Sequence, residues 1–257
     1  MHTKKQLQED LQKLGIRPGD KLLIHSSYKS LGGIEDGAAG FFEVVADLLG
    51  GEGTLILPTL SYASVGYDQP CFDIRSTPSC VGYLTEYFRT EVPGVVRSLH
   101  ASHSCAVYGK DTAEWVKDHE LDLTPVGKHS PFAKLPREGG KILMLGCHPG
   151  HNTSMHGVEE IMEAPYLFDG QPVRYLLTNA NGRTVEQIAR RHGHIRGNIC
   201  YRAKYIELLP LLRGGEIARG KVLAADSVLM SASAVWKRAA EAMRKDPYYF
   251  TDAVPVE

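Results

Sequence analysis

In the stretch NTSMHGVEE, residues 152–160, a histidine follows a Thr-Ser pair and precedes two glutamates. Asn152, Thr153 or Ser154 can cap a helix that Pro165 ends, which puts His156 in its first turn. There the positive end of the helix dipole disfavours an imidazolium. A histidine so placed stays neutral, as a general base must. Glu159 and Glu160, three and four residues on, share its helical side, while Met155, Val158 and Met162 form the apolar stripe. A carboxylate at that spacing either orients the imidazole or attracts a cationic substrate. The alternative is a packed histidine with glutamates on a solvated face. Residue types alone leave both open.

Two other loops carry groups that suit ligand oxygens. HSSYKSLGG (25–33) follows an apolar run, and RSLHASHS (97–104) precedes another. Serines and glycines leave backbone amides open to phosphate or carbonyl oxygens. Equally, Ser26, Ser27 and Ser30 can satisfy turns, and Gly32-Gly33 can simply turn the chain. Neither a Gly-x-Gly-x-x-Gly run nor a P-loop is present, which argues against NAD or ATP. Histidines cluster at 100 and 103, at 148, 151 and 156, and at 192 and 194, without a His-Glu-x-x-His spacing. No metal is therefore expected. Gly-x-Ser-x-Gly is absent, against a serine hydrolase.

These loops need a scaffold. Lys4 to Leu14 reads as an amphipathic helix closed by Gly15. KLLIH (21–25) and TLILP (54–58) read as buried strands around a helix capped by Asp36 and stopped by Gly50-Gly51. Thr77 and Pro78 predict the start of another helix, SCAVY (104–108) a strand, DTAEWVKDH a short helix, and Ser130-Pro131 a helix opening. KILMLG (141–146) is the clearest buried strand. PVRYLLTNANGRTVEQIA reads as a hairpin around Asn-Ala-Asn-Gly, and Ser231 to Arg244 as a final helix. The fold class is α/β: a mixed, mostly parallel sheet covered by helices, with a hairpin-containing C-terminal part. Ligands gather at strand ends in such sheets.

The 257 residues suit one domain, 1–257, with 43% hydrophobic residues to build its core. A net charge of -1 gives no basic excess for nucleic acid or an anionic membrane. No apolar run approaches the roughly 20 residues of a bilayer span. Five scattered cysteines without a Cys-x-x-Cys pair point to a reduced, cytoplasmic protein with no disulfide framework. A monomer or homodimer is expected.

Seven pieces, in order, resemble the aminoglycoside 3-N-acetyltransferase family: LLIHSSYKSLGGIEDG, GTLILPTLSY, FDIRSTPSCVG, RSLHASHSCAVYG, SPFAKL, GGKILMLG and NTSMHGVEE. They run from Leu22 to about Glu160, more than half the chain. The resemblance implies acetyl transfer from acetyl-CoA to the 3-amino group of the 2-deoxystreptamine ring of an aminoglycoside, on a fold other than the common acetyltransferase (GNAT) fold. It implies His156 as general base; Glu159 or Glu160 would steady the imidazolium, with Glu159 the catalytic candidate. It implies coenzyme contacts from Ser26, Ser27, Ser30, Leu31 and Gly32, and from Arg97, Ser98 and His100. Asp73 and Glu159 match acidic positions near the acceptor; Glu160 joins Asp73 as a substrate-binding candidate. The sequence departs from the family at His100-Ala101, where His-Pro is usual, and in RRHGHIRGNICYRAKY (190–205), which resembles it weakly. His192, inside that stretch, is read as structural or as a secondary polar group. The other reading is a coenzyme- or sugar-binding protein of the same scaffold that does not acetylate antibiotics.

Overall fold

The computed structural model describes residues 1–256. Helix α1 (Lys4–Leu14) is capped by Thr3, which accepts from the Gln6 amide, and closed by Gly15 at φ 115°. Strand β1 (Lys21–Ser26), helix α2 (Gly37–Leu49) and strand β2 (Thr54–Pro58) form the expected strand-helix-strand opening. Asp36 sits at the start of α2 but makes no capping bond; its carboxylate pairs with Lys4 at 2.6 Å instead. After β3 (Cys71–Asp73), helix α3 (Tyr83–Glu91) begins five residues later than Thr77-Pro78 predicts. Thr77 is engaged elsewhere: its hydroxyl accepts from the Asp73 amide, and its carbonyl accepts from Arg97.

Strands β4 (Val96–Arg97) and β5 (Cys105–Gly109), helices α4 (Thr112–Val116) and α5 (Pro131–Arg137), and strand β6 (Lys141–Leu145) follow. Helix α6 (Met155–Ile161) is only seven residues long. The hairpin β7 (Phe168–Thr178) and β8 (Thr184–His192) turns through Asn179–Gly182, as its Asn-Gly signal predicts. The remainder is β9 (Ile195–Arg196), β10 (Ile199–Ala203), β11 (Ile217–Val222), β12 (Ala225–Ser231), α7 (Ala232–Met243) and β13 (Thr251–Pro255).

The main sheet has the order β11-β12-β6-β1-β2-β5-β4. Its centre, β6-β1-β2, is parallel, and antiparallel strands flank it on both sides. The mixed, helix-covered α/β architecture is the expected one. The antiparallel strands of this sheet are not the hairpin, however: β7 and β8 form a separate sheet with β3, and β9, β10 and β13 a third.

The central strands are buried on both faces, and their alternation sorts residues into two cores. Leu22, Ile24, Leu55, Leu57, Leu143 and Leu145 face α1, α2 and α3. Leu23, Ile56, Ile142 and Met144 face α5, α6 and α7 through Phe132, Met155, Val158 and Val235. Because β6, β1 and β2 are parallel, their C-terminal ends share one edge, and β5, running the other way, begins there. That edge brings Ser26, Pro58, Cys147 and His103 into one cavity wall. Among the described residues, no helix is long and apolar enough to cross a membrane. Among the described residues all five cysteines are free.

Candidate active site

A cavity of about 1180 Å³ opens at these strand ends. Its wall includes His25, Ser26 and Ser27 from β1 and the turn after it, Cys147 after β6, Ser102 and His103 before β5, and His156 from α6. The C-terminal part supplies Arg191, His192, His194 and Tyr205. Crevices of this kind form where a parallel sheet sends its loops both ways from a central strand, here β1 between β2 and β6.

His156 is held from behind. Its Nδ1 lies 2.8 Å from Glu159 Oε2 and 2.9 Å from the Tyr205 hydroxyl. Tyr205 donates to the same Glu159 oxygen at 2.8 Å, and Tyr166 donates to the other at 2.9 Å. A carboxylate only accepts, so Nδ1 carries the proton and Nε2 keeps its lone pair. Glu159 is fully buried. Burial alone would push its carboxyl up, but the bonds from His156 and Tyr205 outweigh that and hold it below its ordinary value. The ionised form is thus the resident one, suited to steady an imidazolium. Tyr205 is pushed well above its ordinary value by burial and by Glu159, so it stays a donor.

Glu160 is placed differently from its expected substrate role. It lines a second cavity, of about 910 Å³, with Val126, Arg190 and Trp236. Its Oε1 accepts from His192 Nε2 at 2.7 Å and from the Val126 amide at 2.8 Å. Burial raises its carboxyl to about 7. Asp73 does not line the cavity of His156 either; it forks with the Arg75 guanidinium at 2.8 and 3.1 Å, which holds it down to about 2.

Of the coenzyme candidates, Ser26 and Ser27 face the cavity. Ser30 lies beneath them, donating to Ser27 Oγ at 2.8 Å or to the Gly146 carbonyl at 3.0 Å. Leu31 is buried, and Gly32 closes the turn at φ 79°, a conformation that glycine adopts without strain. Arg97, Ser98 and His100 are buried and stand outside the cavity wall. Arg97 reaches the carbonyls of Thr59 and Thr77 at 2.8 and 2.6 Å, a strut between β2 and the loop before α3. Ser98 Oγ accepts from the Cys105 amide and meets His119 Nδ1 at 2.8 Å. His100 Nδ1 accepts from the amides of Ser102 and His103 at 3.2 and 3.1 Å, fixing the loop that presents His103. Their exposed-loop setting in the sequence hid this: each is polar because it ties backbone, not because it meets solvent.

The histidine clusters regroup. One member of each, His103, His156 and His192, meets the others in the wall, each with a ring nitrogen within 4.8 Å of the other two. Sequence proximity suggested other groupings. Tyr205 escaped the sequence reading because it lies 49 residues from His156, and Tyr166, though near in the chain, because it belongs to no motif.

Fold and site define the class: an α/β enzyme outside the GNAT fold, in which a carboxylate-backed histidine faces a cavity at parallel strand ends. The family described as aminoglycoside 3-N-acetyltransferase matches residues 23–244, and the chain belongs to it. A curated relative, aminoglycoside N(3)-acetyltransferase IV from Salmonella sp, is 34% identical over 181 residues, 66% of this chain and 67% of its own length. Aminoglycoside N(3)-acetyltransferase III from Salmonella sp is 31% identical, and the match covers 64% of this chain and 63% of that relative. Among solved structures, the AAC(3)-IVa acetyltransferase, a histidine-to-alanine mutant in complex with a gentamicin, is similar at 28% identity and TM-score 0.80, covering 97% of this chain and 91% of that one. AAC-IIIb with CoASH is similar at 25% identity and TM-score 0.78, covering 95% and 96%.

Proposed function

We propose that residues 1–257 act as one acetyltransferase domain that moves the acetyl group of acetyl-CoA to the 3-amino group of an aminoglycoside's 2-deoxystreptamine ring, directly and without a catalytic metal. The observation that carries the reading is the His156–Glu159 pair, 2.8 Å apart, backed by two tyrosines and facing the cavity. An ammonium has no lone pair, so the acceptor must attack as a free amine. His156 Nε2 takes the amine proton as nitrogen bonds to the acetyl carbon. The C–S bond then breaks, and the proton passes from the imidazolium to the departing thiolate. Glu159, buried and ionised, steadies the imidazolium between these steps.

Ser26, Ser27, Tyr28 and Lys29 take the coenzyme in this reading. They line the cavity, and Lys29 and Arg191 set positive charge against an anionic ligand. Ser30, Leu31 and Gly32 shape that turn; Arg97, Ser98 and His100 position the opposite loop. AAC-IIIb, with CoASH bound, supports the coenzyme assignment, and AAC(3)-IVa with its bound gentamicin the acceptor class. The free cysteines and the need for acetyl-CoA support a cytoplasmic setting.

One observation favours a second reading. No Asp or Glu is among the described residues lining the cavity, with Asp73 and Glu160 both engaged elsewhere. A polycationic antibiotic gains little there, which suits a scaffold that binds coenzyme without acetylating antibiotics. Thiol release from acetyl-CoA, measured across an aminoglycoside panel, separates the two, and NMR of any product locates the acetyl group. The proposal expects turnover and a 3-N-acetyl product. Coenzyme binding with no turnover on any member supports the second reading.

A further inference from the structure

His103, before β5, His156, on α6, and His192, closing β8, are brought together from three elements. Their ring centroids stand 5.1 Å apart for His103 and His192, 4.7 Å for His156 and His192, and 6.1 Å for His103 and His156. One nitrogen of each ring is already tied back: His103 Nδ1 to Ser102 Oγ at 2.9 Å, His156 Nδ1 to Glu159 at 2.8 Å, and His192 Nε2 to Glu160 at 2.7 Å. That leaves His103 Nε2, His156 Nε2 and His192 Nδ1. Since Glu159 and Glu160 accept, the remaining nitrogens of His156 and His192 hold lone pairs. His192 Nδ1 is buried with no partner.

Two imidazole lone pairs, with a third imidazole whose ring nitrogen lies within 4.8 Å of both rings' ligand atoms, suit a Lewis acid. A carboxylate behind a ligating histidine is how metal sites fix tautomer and raise basicity, and here two of the three rings have one. Three imidazoles with cavity space at a fourth position suit Zn²⁺ and its d-block neighbours, not Mg²⁺ or Ca²⁺, which prefer oxygen. Zn–N bonds of about 2.0–2.1 Å require ligand nitrogens about 3.3 Å apart. With their ring nitrogens within 4.8 Å of one another, the three rings need to close by at most about 1.5 Å to reach that spacing.

We propose that His103, His156 and His192 form a reversible inhibitory site for one zinc-class divalent cation. The inhibition rests on the reading of His156 as base: a lone pair given to the metal cannot take the amine proton. Metal and acceptor amine then compete for one atom, His156 Nε2.

The test uses chelator-treated full-length protein and two separate readouts. Titration with Co²⁺ reads the site through its d–d absorption, whatever the activity. The expected result is one Co²⁺ per chain with the intense bands of four-coordination, displaced by Zn²⁺. Both His192→Ala and His103→Ala, each checked for folding by circular dichroism, lose that spectrum. Zn²⁺ slows acetyl transfer by about 100-fold or more, the scale of a lost general base, and chelator restores it. Weak six-coordinate bands, or bands unchanged in both variants, overturn the site. A four-coordinate, histidine-dependent spectrum with transfer unaffected by Zn²⁺ keeps the site but overturns its inhibitory role and counts against His156 as base. Transfer that requires the metal overturns the inhibitory role as well.

Discussion

Glu159 sets the state of the site more than any other single side chain. Its two oxygens collect His156, Tyr205 and Tyr166, so it decides which imidazole nitrogen faces the cavity. Glu159→Gln keeps the shape but offers an N–H where an acceptor is needed, and so invites the wrong tautomer. The transfer rate should fall on the order of 100-fold with the fold intact by near-ultraviolet circular dichroism. A rate within about threefold of wild type would separate the carboxylate from the chemistry. Cys147 bears on the pathway. Its thiol lines the cavity but is pushed up to about 11 by burial, so it is no thiolate at neutral pH. Initial-rate lines with both substrates varied should then intersect. Mass spectrometry after acetyl-CoA alone should find unmodified protein. A competent acetyl adduct abolished by Cys147→Ala would replace direct transfer with a covalent route.

Helix α6 is held by packing rather than by its own length. At seven residues it is marginal by itself, and Ser154 at its start makes no capping bond. Gly157 is what lets it dock: a Cβ there would stand 2.5 Å from the Trp236 ring and 2.8 Å from Val126. The ring cannot easily yield, because Trp236 Nε1 donates to Ser154 Oγ at 2.8 Å. Gly157→Ala gains up to about 1 kcal/mol of helix propensity and loses about 1–3 kcal/mol to overpacking. The clash equals or outweighs the gain. Melting should drop by several degrees, at roughly 2–4 °C per kcal/mol, and transfer should slow as His156 is displaced. Unchanged melting and rate would contradict this packing. The same helix shows what could be read beforehand. The His156–Glu159 spacing of three residues is local, so it was legible, as were β1, β2, β6 and the hairpin. Asp36 and Thr77 misled because capping residues also pair with distant groups, here Lys4 and Arg97. His192, His194 and Tyr205 reach the cavity through sheets whose pairing no local pattern states. They fall in the stretch that resembles the family least.

At the scale of the molecule, histidines are a liability in acid. His25, His100 and His119 are buried, and the Nε2 of each has no partner. Burial lowers His25 to about 3 and His100 to about 4, and His119 well below its ordinary value. Folded, they refuse protons that the unfolded chain binds near pH 6.5. Their contribution is therefore complete above that pH and is lost as pH falls below it. Each costs about 1.4 kcal/mol per pH unit, roughly 4 kcal/mol for the three. Against a usual stability of about 5–15 kcal/mol, the fold should give way within about one to four units below pH 6.5. Denaturant titrations from pH 7.5 to 4 should show the midpoint falling steeply below 6.5. A flat profile down to pH 5 would mean these histidines are protonated in place.

If one lone pair, on His156 Nε2, activates the acceptor amine, its loss is read in the transfer rate of purified His156→Ala, measured beside that variant's affinity for coenzyme A. The expected rate is lower by about 100- to 10,000-fold, with the coenzyme dissociation constant changed little. A rate within about threefold of wild type would contradict it.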